Sequence, residues 1–536
     1  MNSVIFDPLA EFLEKYRELH FENTKNFFDN LVKKSQVNIE ENRKTVAEYN
    51  TYKENLKKLK KTLNWWRFLR VVMCITILLI PLVIMKITPK IRGLRNDIEQ
   101  ADKRASELLE LAYSQMQPLN SLFTDRDSLN LIHETIPLIS FDECFTAEKE
   151  EDMKINYDFS LGINYEESTL DVLSGEYNEN PFVFENTFKH TMGTETYHGY
   201  KTIYWTETYR DSNGKLQQRT KSETLHASVT KPKPFYNTQV VLNYGSQGAP
   251  ELSFTRDATH LEQKGERAIE RYVKKGEKKL KKLNEKALNN NKEFVSMSNT
   301  EFEVLFDALD RDNEVQFRTL FTPLAQTNMV KLLLSRDGFG DDFNFIKSKR
   351  MNKIVSSHSQ GREMTVPASS YTSYFFDTIQ EAFINKNISF FKALYFDFAP
   401  LLSIPAYQER PVHSLKPVPD YSQIYSLKEC EALANIVDKT YVVHPETKTP
   451  AIIKSEFINS NGCSDETLIK SYSYDIIERV DIVPVYGGDG RYHNVEVFWD
   501  DYIPLEMESR FFVSKVSDAT GTDIMATRNE ICMYKI

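Results

Sequence analysis

Glycine is scarce in this chain, with 18 residues in 536, about half the usual share. A chain poor in glycine has few places for the tight backbone loops that cradle phosphates. No P-loop and no nucleophile-elbow serine motif occurs in it. Cysteine is also sparse: Cys74, Cys144, Cys430, Cys463 and Cys532 lie far apart and show neither disulfide nor zinc spacing. They read as free, mostly buried thiols. The ten histidines are scattered at 20, 133, 190, 198, 226, 260, 358, 413, 444 and 493, and none forms H-x-x-x-H. These absences leave no catalytic residue, no metal site and no cofactor to name. Long hydrophobic runs are absent but for one, and mean hydropathy is −0.47, which excludes a polytopic membrane protein.

What is present is ordinary globular material: 41% hydrophobic and 27% charged residues, with 34 Phe and 27 Tyr. That excludes a disordered, collagen-like or disulfide-framework chain. The length allows roughly two to four domains. The net charge of −10 conceals an asymmetry, because residues 51–104 carry 13 Lys/Arg against four acids. This basic excess flanks one apolar run rather than covering a folded domain, so it points to a membrane surface and away from nucleic acid.

The run is Phe68 to Ile87, 20 residues reading FLRVVMCITILLIPLVIMKI. As a helix it would reach about 30 Å, the thickness of a bilayer core. Trp65 and Trp66 stand just outside it, and Arg70 and Lys86 near its ends; these four are the expected membrane-anchor flanks. A single transmembrane helix is the first expectation. Only 15 uncharged residues separate Arg70 from Lys86, so a shallow interfacial hairpin and a buried core helix are the alternatives. The flanks hold seven Lys/Arg in residues 51–70 and six in 86–105, so orientation is undetermined. Equal flanks are also what a hairpin with both ends on one side would show, and Pro81 could turn it.

Both flanks carry heptads. Before the run the a/d pairs are Tyr49/Tyr52, Leu56/Leu59 and Leu63/Trp66; after it they are Ile91/Leu94, Ile98/Ala101 and Ala105/Leu108. A homo-oligomer through these arms is one reading. Packing of an amphipathic helix on the chain's own domain is the other.

The fold class expected is α+β: N-terminal helical, coiled-coil arms around one transmembrane helix, then a large mixed β-rich and α+β region. The expected segments are 1–67 (helical arm), 68–87 (transmembrane), 88–120 (second arm), 121–258 (β-rich), 259–292 (basic amphipathic helix) and 293–536 (α+β). Asn213-Gly214 marks a hairpin between two β-prone runs. Pro232 and Pro234 are expected to end one strand before the next begins at Thr238. Residues 259–292 hold 11 Lys/Arg and five acids on a helical period. Such a helix suits an anionic lipid surface, or is simply solvated. Thr322-Pro323 reads as an N-cap followed by proline at the first helical position. Strands are expected near 450–456, 478–486 and 493–500.

Three motifs imitate known chemistry. Gly487-Gly488-Asp489-Gly490 resembles the glycine signature of lipid and nicotinamide-nucleotide kinases, but a strand-like YHNVEVFW follows it, so a hairpin turn is the better reading. Asp310, Asp312 and Glu314 imitate a calcium loop, yet Val315 and Phe321 occupy the positions that need Gly and an acid. Gly338-Phe339-Gly340-Asp341-Asp342 is an acidic loop, read as structural.

Several segments carry a resemblance: GYKTIYWTETYRDSNGK with ETLHASVTKPKPFY, EFEVLFDALDRDNEVQFRTLFTPLAQ, GFGDDFNFIKSKRMNKI and GGDGRYHNVEVFWDDYIPLE. In these the chain resembles a family of uncharacterised membrane proteins from mollicutes (mycoplasma-like bacteria), distantly similar to a bacterial domain family of unknown function. The resemblance implies an anchor and a large domain, and transfers no activity. The functional expectation is a membrane-anchored interaction or scaffolding protein of the cell envelope, single-pass, with the lipid bilayer and an unknown protein as partners. The rivals are a membrane-tethered enzyme acting on lipid or a phosphorylated substrate, built around Asp341, Asp342 and Asp489, and a peripheral protein with an interfacial hairpin.

Overall fold

The computed structural model describes residues 5–75, 83–159, 166–289, 295–411, 416–418, 422–519, 523–528 and 530–535. The fold is mixed α+β with two antiparallel sheets. Its helices of seven residues or more are α1 (Arg17–Ser35), α2 (Ile39–Ile75), α3 (Thr88–Asn120), α4 (Asp127–Thr135), α5 (Ala147–Tyr157), α6 (Glu266–Asn289), α7 (Thr300–Phe306), α8 (Glu314–Leu320), α9 (Pro323–Leu334), α10 (Phe376–Leu402) and α11 (Leu427–Ile436). Strands run β1 (Ile139–Phe141), β2 (Glu167–Tyr177), β3 (Asn180–Arg210), β4 (Leu216–Gly245), β5 (Ser253–Arg256), β6 (Phe343–Ser348), β7 (Met351–Ser356), β8 (Ile452–Ser460), β9 (Ser464–Tyr486), β10 (Tyr492–Lys515), β11 (Asp523–Arg528) and β12 (Ile531–Lys535). The chain divides into two compact units: residues 10–137 with 365–395, and residues 1–9, 138–364 and 396–536.

The first unit is helical. Its core is aromatic: Phe28 lies 5.5 Å from Phe383 and 5.8 Å from Phe376, centroid to centroid, and Phe123 and Tyr371 meet the same Phe383 ring at 5.5 and 4.8 Å. Such tilted and stacked pairs add to the burial of large apolar side chains. A polar clamp sits beside this core. The fully buried Asn42 donates to the Tyr374 carbonyl at 2.9 Å and accepts from the Phe376 amide at 3.1 Å.

The second unit holds both sheets. One has the order β1-β2-β3-β4-β7-β6-β5 and the other β11-β12-β10-β9-β8. Helix α11 packs on β2 and on β8, and Leu433, Ile453, Ile469, Phe511 and Met533 share its core. The β-rich segment expected at 121–258 does not close on itself, because β4 pairs with β7 from residues beyond it.

Two hairpins outgrow the core. β3 and β4 pair without a break from Phe182–Tyr244 to Arg210–Leu216, and β9 and β10 from Ser464–Ser514 to Tyr486–Tyr492. The first turn is closed where expected: Gly214 adopts φ 76°, and Asp211 accepts from the amides of Asn213 and Lys215 at 3.0 and 2.9 Å. Pro232 and Pro234 do not end a strand. They pair with Thr194 and Met192 inside β4. Beyond β3, the ladder partner of β4 is β7, and that pairing is confined to residues 242–245, so both prolines turn their missing donors to an unpaired edge. The hairpins stack on each other through Ile203, Leu225, Ala227, Val495 and Val497. Gly199 is required there, since a Cβ would lie 2.1 Å from the Glu496 carbonyl oxygen. The expected strands near 450, 478 and 493 are found within β8, β9 and β10. Thr322 caps α9, accepting from the Ala325 amide at 3.3 Å, with Pro323 in the first turn.

A buried lysine gives this unit a pH signature. Lys347 on β6 is 1% exposed and donates to the carbonyls of Gly248 and Lys349 at 3.0 and 2.6 Å. Burial pushes its ammonium from 10.5 down to about 7, against the opposing pull of Asp158 and Asp312. The folded pKa lies below the unfolded one, so between pH 7 and 10 the unfolded chain holds the extra proton. Stability therefore rises with pH in that window. The stability of wild type relative to Lys347→Met is expected to climb by about 1.4 kcal/mol per pH unit there, and denaturant titrations at each pH would measure it. A difference that does not change with pH would disprove it.

Candidate membrane-contacting site

Helices α2 and α3 form an antiparallel pair. Gln115 donates to Thr45 at 3.1 Å, Arg104 pairs with Glu48 at 3.5 Å, and Lys60 pairs with Asp102 at 3.5 Å. Above those contacts a hydrophobic seam joins the arms: Leu63 on α2 with Val83, Ile87, Ile91 and Leu94 on the other, flanked by Leu59, Trp66, Leu69, Met73 and Ile98. The heptad stripes therefore face one another within a single chain. Leu56, Leu63, Ile91, Leu94, Ala105 and Leu108 are all buried.

This geometry corrects the expectation of one helix over 68–87. The described part of that run lies on two arms, with Phe68–Ile75 ending α2 and Val83–Ile87 forming a π-helical turn that leads into α3. The reason is the seam itself: Leu69 and Met73 find their apolar partners on the returning arm. Among the described residues no helix is long and apolar enough to cross a membrane. The centre of the run, residues 76–82 with Pro81, lies outside the described residues.

Hairpin packing gathers the four expected flank residues at one end. Trp65 and Trp66 meet edge to face at 5.0 Å, with Trp65 exposed and Trp66 partly buried in the seam. Arg70 on α2 and Lys86 on the opposite arm are both exposed. Sequence reading missed the apolar residues that face outward between them. Phe68 is 67% exposed, Val71 62% and Met85 78%, and Val72 is exposed beside them. These side chains leave apolar surface exposed, and exposed apolar patches mark interaction sites. Residues 55–96 contain ten Lys/Arg and no acid, so the patch wears a wholly cationic collar. Their spacing held the signal: Phe68, Val71 and Val72 alternate with the seam positions Leu69 and Met73.

No known protein family, curated protein or solved structure matches this chain. Its site residues are therefore read from their own geometry.

The other candidate residues have structural partners. Asp341 is fully buried and pairs with Arg256, while Asp342 accepts from the His358 amide at 3.0 Å and lies 2.7 Å from the His358 ring. Asp397 pairs with Arg362 at 2.7 Å and accepts from Ser359. Asp489 is not near them. It sits in the β9–β10 turn, 3.0 Å from His493, where Gly490 takes φ 80° and Gly487 donates to the Arg491 carbonyl. The glycine signature is thus a hairpin turn. Asp310 and Asp312 accept from the backbone of β5, and Glu314 pairs with Arg311. Among the described residues no His, Cys, Asp or Glu group is arranged to hold a metal ion. The thiols are all unpaired, but only Cys430 and Cys532 are buried, and Cys74 and Cys463 are exposed.

Proposed function

We propose that this chain is a peripheral membrane protein, held on an anionic lipid surface by the apolar end of the α2/α3 hairpin, and that its sheet-bearing unit is a non-enzymatic interaction or scaffolding module of the cell envelope. The observation that carries the reading is the outward cluster of Phe68, Val71, Val72 and Met85 inside a collar without a single acid. Apolar residues enter the headgroup boundary, the collar attracts anionic lipid at about 1 kcal/mol per cation, and tryptophans favour that depth. The eight residues from Phe68 to Ile75 would reach about 12 Å, roughly one leaflet's hydrocarbon. The arms already satisfy each other, so attachment requires no second copy. A membrane-tethered enzyme is the weaker reading, because Asp341, Asp342 and Asp489 are occupied by Arg256, His358 and His493 in separate places.

The test is side-specific labelling. Single cysteines at Asn64 and at Lys90, in a background lacking Cys74, Cys144 and Cys463, are expected to react equally with an impermeant maleimide from one side of sealed membranes. Labelling from opposite sides would establish a spanning helix and reject the hairpin reading.

A further inference from the structure

Helix α6 is a basic amphipathic helix whose described lysines are exposed. Its apolar face forms one wall of a groove, with α7 and the residues after it as the other wall. Tyr272, Gly276, Leu280 and Leu283 recur at i, i+4, i+8 and i+11, so they share one face of α6. That face meets Val304 and Leu309. Gly276 permits the approach, because a Cβ there would stand 2.3 Å from Val304 Cγ1. The groove holds about 690 Å³, within the range of small-ligand sites. Its rim is a second stripe of α6: Lys275, Lys278, Lys279 and Lys282, at i, i+3, i+4 and i+7. Among the described residues the one acid in the lining is Asp307, whose carboxyl burial pushes up, with Lys279 and Arg256 opposing.

An apolar floor beneath four ammonium groups selects by two criteria at once. The lysines favour an anion and repel cations. The floor gains from covering aliphatic carbon, at roughly 25 cal/mol per Å². We propose that this groove binds a single-chain anionic amphiphile, with an acyl chain along Leu280, Leu283, Val304 and Leu309 and a carboxylate or phosphate head among Lys275, Lys278, Lys279 and Lys282. This goes beyond the membrane reading and does not rest on it, since the groove and the hairpin belong to different units.

Native mass spectrometry of the full chain, released from a nonionic detergent, tests the assignment. The probes are laurate, lauroyl lysophosphatidate, monolaurin as the uncharged chain and glycerol 3-phosphate as the head alone. One-to-one adducts are expected with laurate or lysophosphatidate, at least tenfold tighter than with monolaurin or glycerol 3-phosphate. The charge reversal Lys275→Glu/Lys279→Glu should weaken them at least tenfold. The milder Lys278→Ala/Lys282→Ala pair, on exposed positions that leave the fold intact, should weaken them severalfold. Adducts unchanged in both variants would overturn the site. Equal binding of monolaurin would overturn the role of the lysines, and equal binding of glycerol 3-phosphate would overturn the role of the floor.

Discussion

Val72→Asp combined with Met85→Asp is expected to abolish flotation of the protein with anionic phospholipid vesicles. Val72 is 43% and Met85 78% exposed, so the substitutions fall on outward-facing side chains. Their main effect falls on the lipid-bound state. A carboxylate at the middle of a bilayer costs about 2.5–3.5 kcal/mol, and at the shallower depth of a hairpin end about 2 kcal/mol is a fair figure. Two of them weaken partitioning roughly a thousandfold by the usual conversion of 1.4 kcal/mol per decade. Removing the charges of Arg70 and Lys86 should do less, roughly thirtyfold at about 1 kcal/mol each, and the effect should shrink as salt is raised, because exposed cations act within a Debye length. Flotation of the double aspartate variant at the wild-type level would reject the hairpin end as the attachment point.

Arg256→Ala is expected to cost the sheet-bearing unit about 3–5 kcal/mol, which denaturant unfolding would resolve. Arg256 and Asp341 are both fully buried side chains, so the carboxylate left behind has no water to fall back on. The arginine also donates to the Phe343 carbonyl at 2.6 Å and to the Phe306 carbonyl at 3.3 Å, joining the end of α7 to the start of β6. Asp341 accepts in addition from Thr259 Oγ1 at 2.6 Å and from the Leu261 amide at 3.3 Å. The pair thus holds four chain segments. Neutralising both ends with Arg256→Met/Asp341→Asn should recover a large part of the loss, since the desolvation cost of each ion disappears with it. Additive losses in the double variant would show that the two residues act independently.

The parts of the fold that were legible in the sequence are those whose chemistry is local. Asn213-Gly214 and the Gly487–Gly490 run are read as turns because positive φ is written into glycine itself. Thr322-Pro323 is read as a helix start for the same kind of reason. The heptads around the apolar run were legible as stripes, but a stripe does not state its partner. That Leu63 meets Ile91 of its own chain follows from the antiparallel packing of α2 and α3, not from the spacing. Pro232 and Pro234 misled because proline breaks a strand only where its amide would have been paired, and which edge is paired depends on residues 351–354. The buried ion pairs were invisible: Arg256 and Asp341 are 85 positions apart. The lysine stripe of α6 was seen, but the wall opposite it was not, since Val304 and Leu309 follow a break in the helical pattern.

The two long hairpins bear on how quickly this chain can find its structure. A contact between residues far apart in sequence is slow to form because the intervening chain must be closed into a loop first. In β3–β4 the loop is closed once, at Asp211–Lys215, and every later rung adds two residues to an ordered ladder. The same holds from the turn at Gly487–Arg491 down β9–β10. Each ladder can zip from its own end on the microsecond scale of hairpins. The slow event is their meeting, when Gly199 must come against Glu496 across nearly three hundred residues. Substituting Gly199 would then leave both ladders able to form early and would act on the late docking step alone.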